Sequence, residues 1–178
     1  DMARMRGIEP YDLVFVFLLV VGAAMYQLLW TSTSFIQADL QLCLEQSECA
    51  VISDTLALAP YGPLEKKVGS LSGYGWTPEF LNKYVNEKKI ISIEEGIRRM
   101  TSLPAQRLGV KDRGILKENM KADIVVFDTR SIRSTWTVKE PRSYPTGIEH
   151  VFVNGRQSIS AGKRTRVNNG TVLRAPFA

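Results

Sequence analysis

The stretch Ala50–Pro60, AVISDTLALAP, decides the predicted fold of this chain of 178 residues. The run Cys49–Ser53 is short, continuous and mostly apolar, which is typical of a parallel strand covered on both faces. Asp54 follows at its carboxyl end, where barrels of alternating strands and helices carry their functional residues. The local pattern also allows a simpler interpretation, in which Asp54 caps a turn or the helix that follows.

Composition and charge are ordinary for a globular protein. Hydrophobic residues make up 44% of the sequence and charged residues 23%, and the length allows one compact domain or two small ones. The net charge is +5, but the 23 Lys and Arg are interspersed with 18 acidic residues. Because the sequence contains neither a recognition motif nor an aromatic-basic stripe, we expect no nucleic acid as a partner.

The sequence contains two cysteines, Cys43 and Cys49, which stand six positions apart. Two cysteines are too few for a disulfide framework or for a metal-binding knuckle. We therefore predict buried free thiols in a reducing, cytoplasmic compartment.

One long apolar run allows two interpretations. Tyr11–Trp30 is long enough to span a bilayer, and Arg4 and Arg6 precede it as positive residues precede an anchor. Under this interpretation the protein is a membrane-anchored, non-enzymatic β module with residues 11–30 as its anchor.

The other interpretation divides this run into two buried elements. Gly22-Ala23-Ala24 interrupts the run near its middle, and Pro10 occupies a position that helices favour in their first turn. The prediction is then a helix from about Pro10 to Val21 and a strand from about Met25 to Thr31. The rest of the chain favours this division, and with it a protein that has no membrane partner.

Helices and strands are predicted to alternate around Asp54. Ser34 and Gln37 fit a capping box for a helix that runs to about Glu45. The order helix, strand, helix, strand up to Asp54 is typical of a parallel sheet. The loop Tyr61–Trp76 that follows is rich in glycine and lacks an apolar period, and loops of this length are usually functional or disordered.

Helices and then β structure are predicted for the rest of the chain. The helices run from Thr77 to about Lys88 and from Ser92 through Leu103, each opened by a capping residue. A further short turn follows from Pro104 to Leu108, and Gly109 closes it as a C-terminal cap.

Residues 113–178 change to a β pattern. Four strands are predicted, Ala122–Asp128, Ile148–Val153, Arg156–Ile159 and Gly170–Arg174. Asn154-Gly155 between the second and third is the strongest short-range hairpin signal. We therefore divide the chain near Lys111–Gly114 into an α/β portion, residues 1–112, and a small β unit, residues 113–178.

Three blocks of sequence carry a resemblance to a known family. They are Ser92–Asp128 (SIEEGIRRMTSLPAQRLGVKDRGILKENMKADIVVFD), Tyr144–Gly155 (YPTGIEHVFVNG) and Gly170–Arg174 (GTVLR). The sequence resembles the C-terminal third of the N-acyl-D-amino-acid deacylases, or D-aminoacylases, of the metal-dependent amidohydrolase superfamily. Weaker similarity runs from Ala3 to Asp54, and dihydroorotase-like enzymes share the general form of the densest block.

This resemblance implies an α/β fold, the C-terminal part of a (β/α)₈ TIM barrel plus the C-terminal share of a small β-sandwich. Residues 1–112 would supply the last barrel strands and helices, and residues 113–178 the sandwich portion. The family's metal ligands lie on upstream strands, so the missing N-terminal part of the barrel is an expected partner. His150, the one histidine, is expected to be an ordinary strand residue.

By the same resemblance, Asp54 matches the carboxylate at the end of the family's last barrel strand. The complete protein would bind zinc, and the isolated chain none. The substrate would be a small N-acyl amino acid whose linear amide is attacked by a metal-activated water. Asp54 would take the proton of that water as general base and return it to the leaving nitrogen as general acid.

The loop after Asp54 departs from the family pattern. Thr55 stands where the family often has Gly, and the loop lacks the Arg that commonly binds the substrate carboxylate as a bidentate pair. The candidate substrate-binding residues are Lys66, Lys67, Tyr61 and Tyr74. A lysine supplies charge without the forked geometry of Arg, and the simpler interpretation of all four is exposed loop residues.

Two alternatives to a hydrolase are the anchored module described above and a degenerate remnant that folds poorly. Leu13–Val21 favours the remnant, because a barrel helix carries polar residues on its outer face.

Overall fold

The computed structural model describes residues 2–27, 36–56, 58–59, 61–65, 73–137 and 139–175. The helices are α1 (Met2–Arg6), α2 (Pro10–Val21), a 3₁₀ helix (Gly22–Gln27), α3 (Gln37–Glu45), α4 (Trp76–Glu79) with its continuation as a π-helix (Phe80–Glu87), α5 (Ile93–Met100) and α6 (Ser102–Leu108). The strands are β1 (Ile124–Phe127), β2 (Ile148–Val153), β3 (Arg156–Ser160) and β4 (Lys163–Arg164).

The four strands form one antiparallel sheet in the order β1-β2-β3-β4. The β2–β3 connection is the predicted hairpin, in which Val153 pairs with Arg156. Asn154 and Gly155 have φ angles of 49° and 77°, and a type I′ turn requires positive φ at both central residues. The hairpin prediction is therefore confirmed.

Two predictions for the β portion are wrong. Gly170–Arg174 forms no strand, because a strand needs a neighbour with which to exchange backbone hydrogen bonds and none lies beside it among the described residues. β1 is not buried, since Val125 and Val126 are 51% and 42% exposed. An apolar run is covered on both faces only where other layers pack on it, and β1 is the edge strand of its sheet.

The main core cluster joins the helices to the sheet. Its buried members are Leu44 of α3, Phe80, Leu81 and Val85 of the π-helix, and Ile132 between β1 and β2. Ile97 of α5 packs against this cluster, as do Phe127 and Ile148 at the ends of β1 and β2. A Cβ added to Gly96 would lie 2.9 Å from Val85 Cγ2, so α5 packs directly on the π-helix. The cluster thus draws residues from both sides of residues 111–114.

Local capping signals determine several helix ends. The Ser92 hydroxyl accepts a hydrogen bond from the Glu95 N–H at 3.2 Å, which confirms the predicted start of α5. Gly109 has a left-handed φ of 74° and ends α6, as predicted. The single helix predicted through Leu103 is instead divided at Thr101, whose backbone departs from helical geometry.

Two predicted N-termini differ from the structure. The helix expected to start after Thr77 begins two residues earlier, at Trp76, with Gly75 as its N-cap. The N-cap of α3 is Ile36, which has no capping side chain. Ser34, the predicted capping residue, lies outside the described residues.

The helix at Pro10–Val21 has the predicted bounds but is not buried. None of its residues is buried, and Phe15 and Leu19 are 64% and 81% exposed. Apolar composition predicted a covered helix, but among the described elements only its chain neighbours, α1 and the 3₁₀ helix, contact it. α2 therefore presents an apolar face that lacks a described partner.

The predicted strand Met25–Thr31 is wrong where the structure describes it. Gly22–Gln27 forms a 3₁₀ helix, since no strand lies beside it to provide a hydrogen-bond ladder, and residues 28–31 lie outside the described residues. α2 has 12 residues, against about 20 for a membrane span. Among the described residues, no helix combines the length and apolarity needed to cross a membrane.

Candidate functional site

Asp54 follows an extended segment that does not form a strand. Cys49–Ser53 belongs to no sheet. The hydrogen bond from the Val51 N–H to the Arg99 carbonyl at 3.0 Å joins it to α5, and the Val51 side chain packs against the main core cluster. The predicted strand is therefore wrong here, because no strand pairs with it among the described residues. Asp54 itself is exposed, and its φ of 39° lies in a region that Asp tolerates better than most residues.

Three arginines of α5 and α6 hold the chain that leads to Asp54. The guanidinium groups of Arg99, Arg98 and Arg107 donate hydrogen bonds to the carbonyl oxygens of Leu44, Ser47 and Glu48, respectively. These carbonyls lie at and just beyond the C-terminus of α3, where helical carbonyls lack intrahelical partners. Positive groups also interact favourably with this end of the helix dipole. The arginines thus fix the turn that precedes Cys49.

Glu95 orients two of these arginines. Its carboxylate accepts from Arg98 Nε at 2.7 Å and from Arg99 Nε at 2.8 Å. The Arg99 side chain is only 2% exposed, and a buried charge needs such a partner. The hydrogen bonds from Arg98 and then Arg99 hold the pKa of the Glu95 carboxyl at about 2, below its ordinary 4.5.

We expect this carboxylate to make the protein sensitive to acid. Because the folded pKa of Glu95 is lowered, its stabilising contribution is complete above about pH 4.5 and is lost as the pH falls towards 2. Glu95→Gln should therefore be less stable than the wild type at pH 7, with a smaller difference at pH 3. Urea unfolding midpoints across this range measure the effect. Exposed Glu118→Gln is the control, and a constant difference between Glu95→Gln and wild type would contradict the assignment.

The candidate substrate-binding residues lie in the loop after Asp54. Lys66 and Lys67 lie outside the described residues. Tyr61 is exposed, and the Arg164 guanidinium lies 5.6 Å from its ring centroid. Tyr74 is half-buried, and its hydroxyl is buried without a hydrogen-bond partner in the described part of the chain. No hydrogen bond or ring contact among the described residues joins either tyrosine to Asp54.

Two residues beside this loop could not be found by local sequence reasoning. Arg142 donates to the carbonyl of Glu65, which lies 77 positions earlier in the chain. The ring of Tyr144 lies 5.5 Å from that of Tyr74 in an edge-to-face arrangement. Both come from the connection between β1 and β2, so no sequence period places them here. The arginines of α5 did leave a signal, since Glu95 stands three and four residues before them.

The described residues do not form a metal site by themselves. Among them, no three His, Cys, Asp or Glu side chains lie close enough together to hold an ion. His150 belongs to the hairpin, where its Nδ1 lies 2.9 Å from Gln157 Nε2 and 3.3 Å from the Ala161 nitrogen. These contacts confirm that His150 is a strand residue of the sheet.

The cysteine prediction is partly wrong. Cys43 and Cys49 are both free thiols, but Cys43 is exposed and Cys49 is half-buried. The reason is the orientation of α3, which buries Leu44 and exposes the residue before it.

Comparison with known proteins identifies the family. Residues 49–159, more than half of the chain, match the Amidohydrolase family, and the chain belongs to this family. Over 140 residues it is 32% identical to N-acyl-D-aspartate deacylase of Alcaligenes xylosoxydans xylosoxydans. This alignment covers 79% of this chain and 26% of the relative. The resemblance to D-amino-acid deacylases that the sequence motifs indicated is thereby confirmed.

Comparison with solved structures also supports membership of this family. A crystal structure of D-aminoacylase matches with a TM-score of 0.68 and 26% identity, covering 76% of this chain and 27% of that one. A second match is N-acyl-D-glutamate deacylase from Bordetella bronchiseptica, which was solved with zinc and a phosphonate mimic of the tetrahedral intermediate. Its TM-score is 0.61 and its identity 27%, and the match covers 76% of this chain and 28% of that one. The α/β chain thus shares the fold of part of these amidohydrolases. It spans about a quarter of the length of these relatives.

Proposed function

We propose that this chain is the C-terminal part of a zinc-dependent hydrolase that cleaves the linear amide of N-acyl-D-amino acids. The position of Asp54 carries the proposal. It is an exposed carboxylate at the end of an extended segment fastened to α5, within the residues that match the amidohydrolases. The names of the deacylase relatives support the choice of substrate class.

Asp54 acts twice in the proposed reaction. Its carboxylate takes a proton from water as the water oxygen bonds to the amide carbonyl carbon. The carboxyl group then gives this proton to the amide nitrogen as the carbon–nitrogen bond breaks. The products are a free carboxylic acid and a D-amino acid, and Asp54 regains its initial charge.

The metal belongs to parts of the protein outside the described residues. The described residues contain no group of three His, Cys, Asp or Glu that could hold an ion by themselves, and we assign no metal ligand among them. Zinc, when bound, polarises a carbonyl and lowers the pKa of its water.

We further propose that residues 1–112 complete a (β/α)₈ barrel and that residues 113–178 belong to a small β-sandwich. The N-terminal part of the barrel is then the partner of α2. The exposed apolar residues of this helix support that partner, because monomeric proteins seldom leave such patches uncovered. The free thiols are compatible with the cytoplasmic location that we propose.

Tyr61, Lys66, Lys67 and Tyr74 are the proposed substrate-binding residues. Tyr74 has the most support, because its buried hydroxyl lacks a hydrogen-bond partner among the described residues and a bound ligand could provide one. The lysines would supply positive charge for the substrate carboxylate.

The first test is the size and activity of the native polypeptide. An antibody against residues 140–178 should detect a soluble product longer than this chain by roughly 250 residues or more, the span that a complete barrel needs. The purified product should release amines from N-acyl-D-amino acids and not from their L-enantiomers, lose this activity with a chelator and regain it with zinc. A band at about 20 kDa in the membrane fraction, or a zinc-loaded protein that hydrolyses no N-acyl amino acid, would contradict the proposal.

A further inference from the structure

We propose that Arg99 is a positioning residue for Asp54. This inference rests on the role proposed above for Asp54, because a positioning residue acts through the group that it places. Arg99 makes no described contact with Asp54 and is therefore not a catalytic residue itself.

Arg99 holds both ends of the segment before Asp54. Its guanidinium donates to the carbonyl of Leu44, and its own carbonyl accepts from the Val51 N–H at 3.0 Å. The side chain is 2% exposed, so these contacts are made in a site from which water is largely excluded. One residue of α5 thus connects the end of α3 to the chain three residues before Asp54.

One side-chain contact adds to this restraint, since Val51 packs against the main core cluster. Among described partners, the Val51 bond is the only backbone hydrogen bond made by residues 50–54. Segments without a backbone ladder depend on the side chains that anchor them. The position of Asp54 is therefore determined by the turn that the arginines hold, by the Val51 hydrogen bond and by the packing of Val51 on the core cluster.

Glu95 orients the guanidinium of Arg99 towards the Leu44 carbonyl. Its carboxylate accepts from Arg99 Nε at 2.8 Å, which turns the terminal nitrogen towards Leu44. Loss of the guanidinium would leave the Leu44 carbonyl without this donor and would allow the turn to shift. Misplacement of a reacting group by about 1 Å can cost about 10²-fold in rate.

The experiment compares three variants in the full-length native protein loaded with zinc. Arg99→Met removes the donors but keeps an unbranched side chain, Arg99→Lys keeps the charge, and Arg130→Met is the control, since Arg130 is 91% exposed. For Arg99→Met we expect kcat per folded molecule to fall about 10- to 100-fold with KM within about twofold. Arg99→Lys should recover part of this loss, and Arg130→Met should match the wild type.

Hydrogen exchange provides a readout that does not depend on activity. Arg99→Met should accelerate amide exchange in residues 49–54 and leave the β2–β3 hairpin unchanged. The inference is overturned if Arg99→Met folds and leaves exchange in residues 49–54 unchanged, or if its only effect is a lower yield of folded protein. If Arg99→Met does not fold, Arg98→Met, which removes the contact to Ser47, should show the same pattern to a smaller degree.

The two proposals fail in different ways. Absence of deacylase activity in the zinc-loaded wild type would overturn the proposed function. The exchange rates of residues 49–54 would still decide whether Arg99 positions this segment, and unchanged rates would overturn that role.

Discussion

Replacement of Asp54 by Asn in the native protein is expected to lower kcat about 10²- to 10⁴-fold, the usual contribution of a general acid–base group. The amide of Asn has nearly the same size as the carboxylate, but it cannot accept the proton of the attacking water. The left-handed backbone at this position, with φ of 39°, is also tolerated by Asn. The loss should therefore come from chemistry and not from misfolding.

Steady-state kinetics with an N-acyl-D-amino acid measure this effect. KM should change little, because the substituted group acts mainly in the transition state. Asp39→Asn, an exposed change on α3, is the matched control and should retain full activity. A kcat for Asp54→Asn within about threefold of the wild type would exclude Asp54 as the general base.

Replacement of Gly147 by Ala is expected to cause the largest loss of stability, about 3 kcal/mol. The φ of Gly147 is 81°, and an added Cβ would lie 2.5 Å from both Cα and N of Ile132. The left-handed conformation costs a residue with a Cβ about 1–2 kcal/mol, and overpacking costs about 1–3 kcal/mol. These contacts are to backbone atoms beside a core side chain, so rotation of a side chain cannot relieve them.

Gly109→Ala separates the two contributions. Gly109 has a similar φ of 74°, but an added Cβ would meet nothing within 4 Å. It should therefore lose only the conformational contribution, about 1–2 kcal/mol. Urea unfolding of both variants measures the difference, and equal losses would show that the contact with Ile132 is unimportant.

Features that depend on neighbouring residues were predictable from the sequence. The Asn154-Gly155 hairpin, the Ser92 cap and the Gly109 cap each follow from a few adjacent residues, because positive φ or a capping oxygen is a local requirement. The motif blocks also indicated the family correctly, since their order is preserved along the chain. The catalytic role of Asp54 stays a prediction, because the apolar run before it forms no strand.

Features that depend on distant contacts were not predictable. The bond from Arg99 to the Leu44 carbonyl joins residues 55 positions apart, and sequence spacing contains no information on such a pair. Apolar composition also misled where nothing described covers a surface, as for α2, β1 and the proposed strand before Asp54. A hydrophobic run indicates that burial of its side chains would be favourable. Whether they are buried depends on another element that packs on them, and the run itself does not specify that element.

The core cluster shared by Leu44, Phe80 and Ile132 has a consequence for the evolution of the chain. An exchange of residues 113–178 for those of a relative would bring a new side chain to the position of Ile132. Leu44 and Phe80, which pack with Ile132, would remain unchanged around it. Mutations on the two sides of residues 111–114 must therefore compensate each other, as close-packed neighbours do. We expect the helical and β portions to be inherited together and to change in a correlated manner, and not to recombine as independent modules.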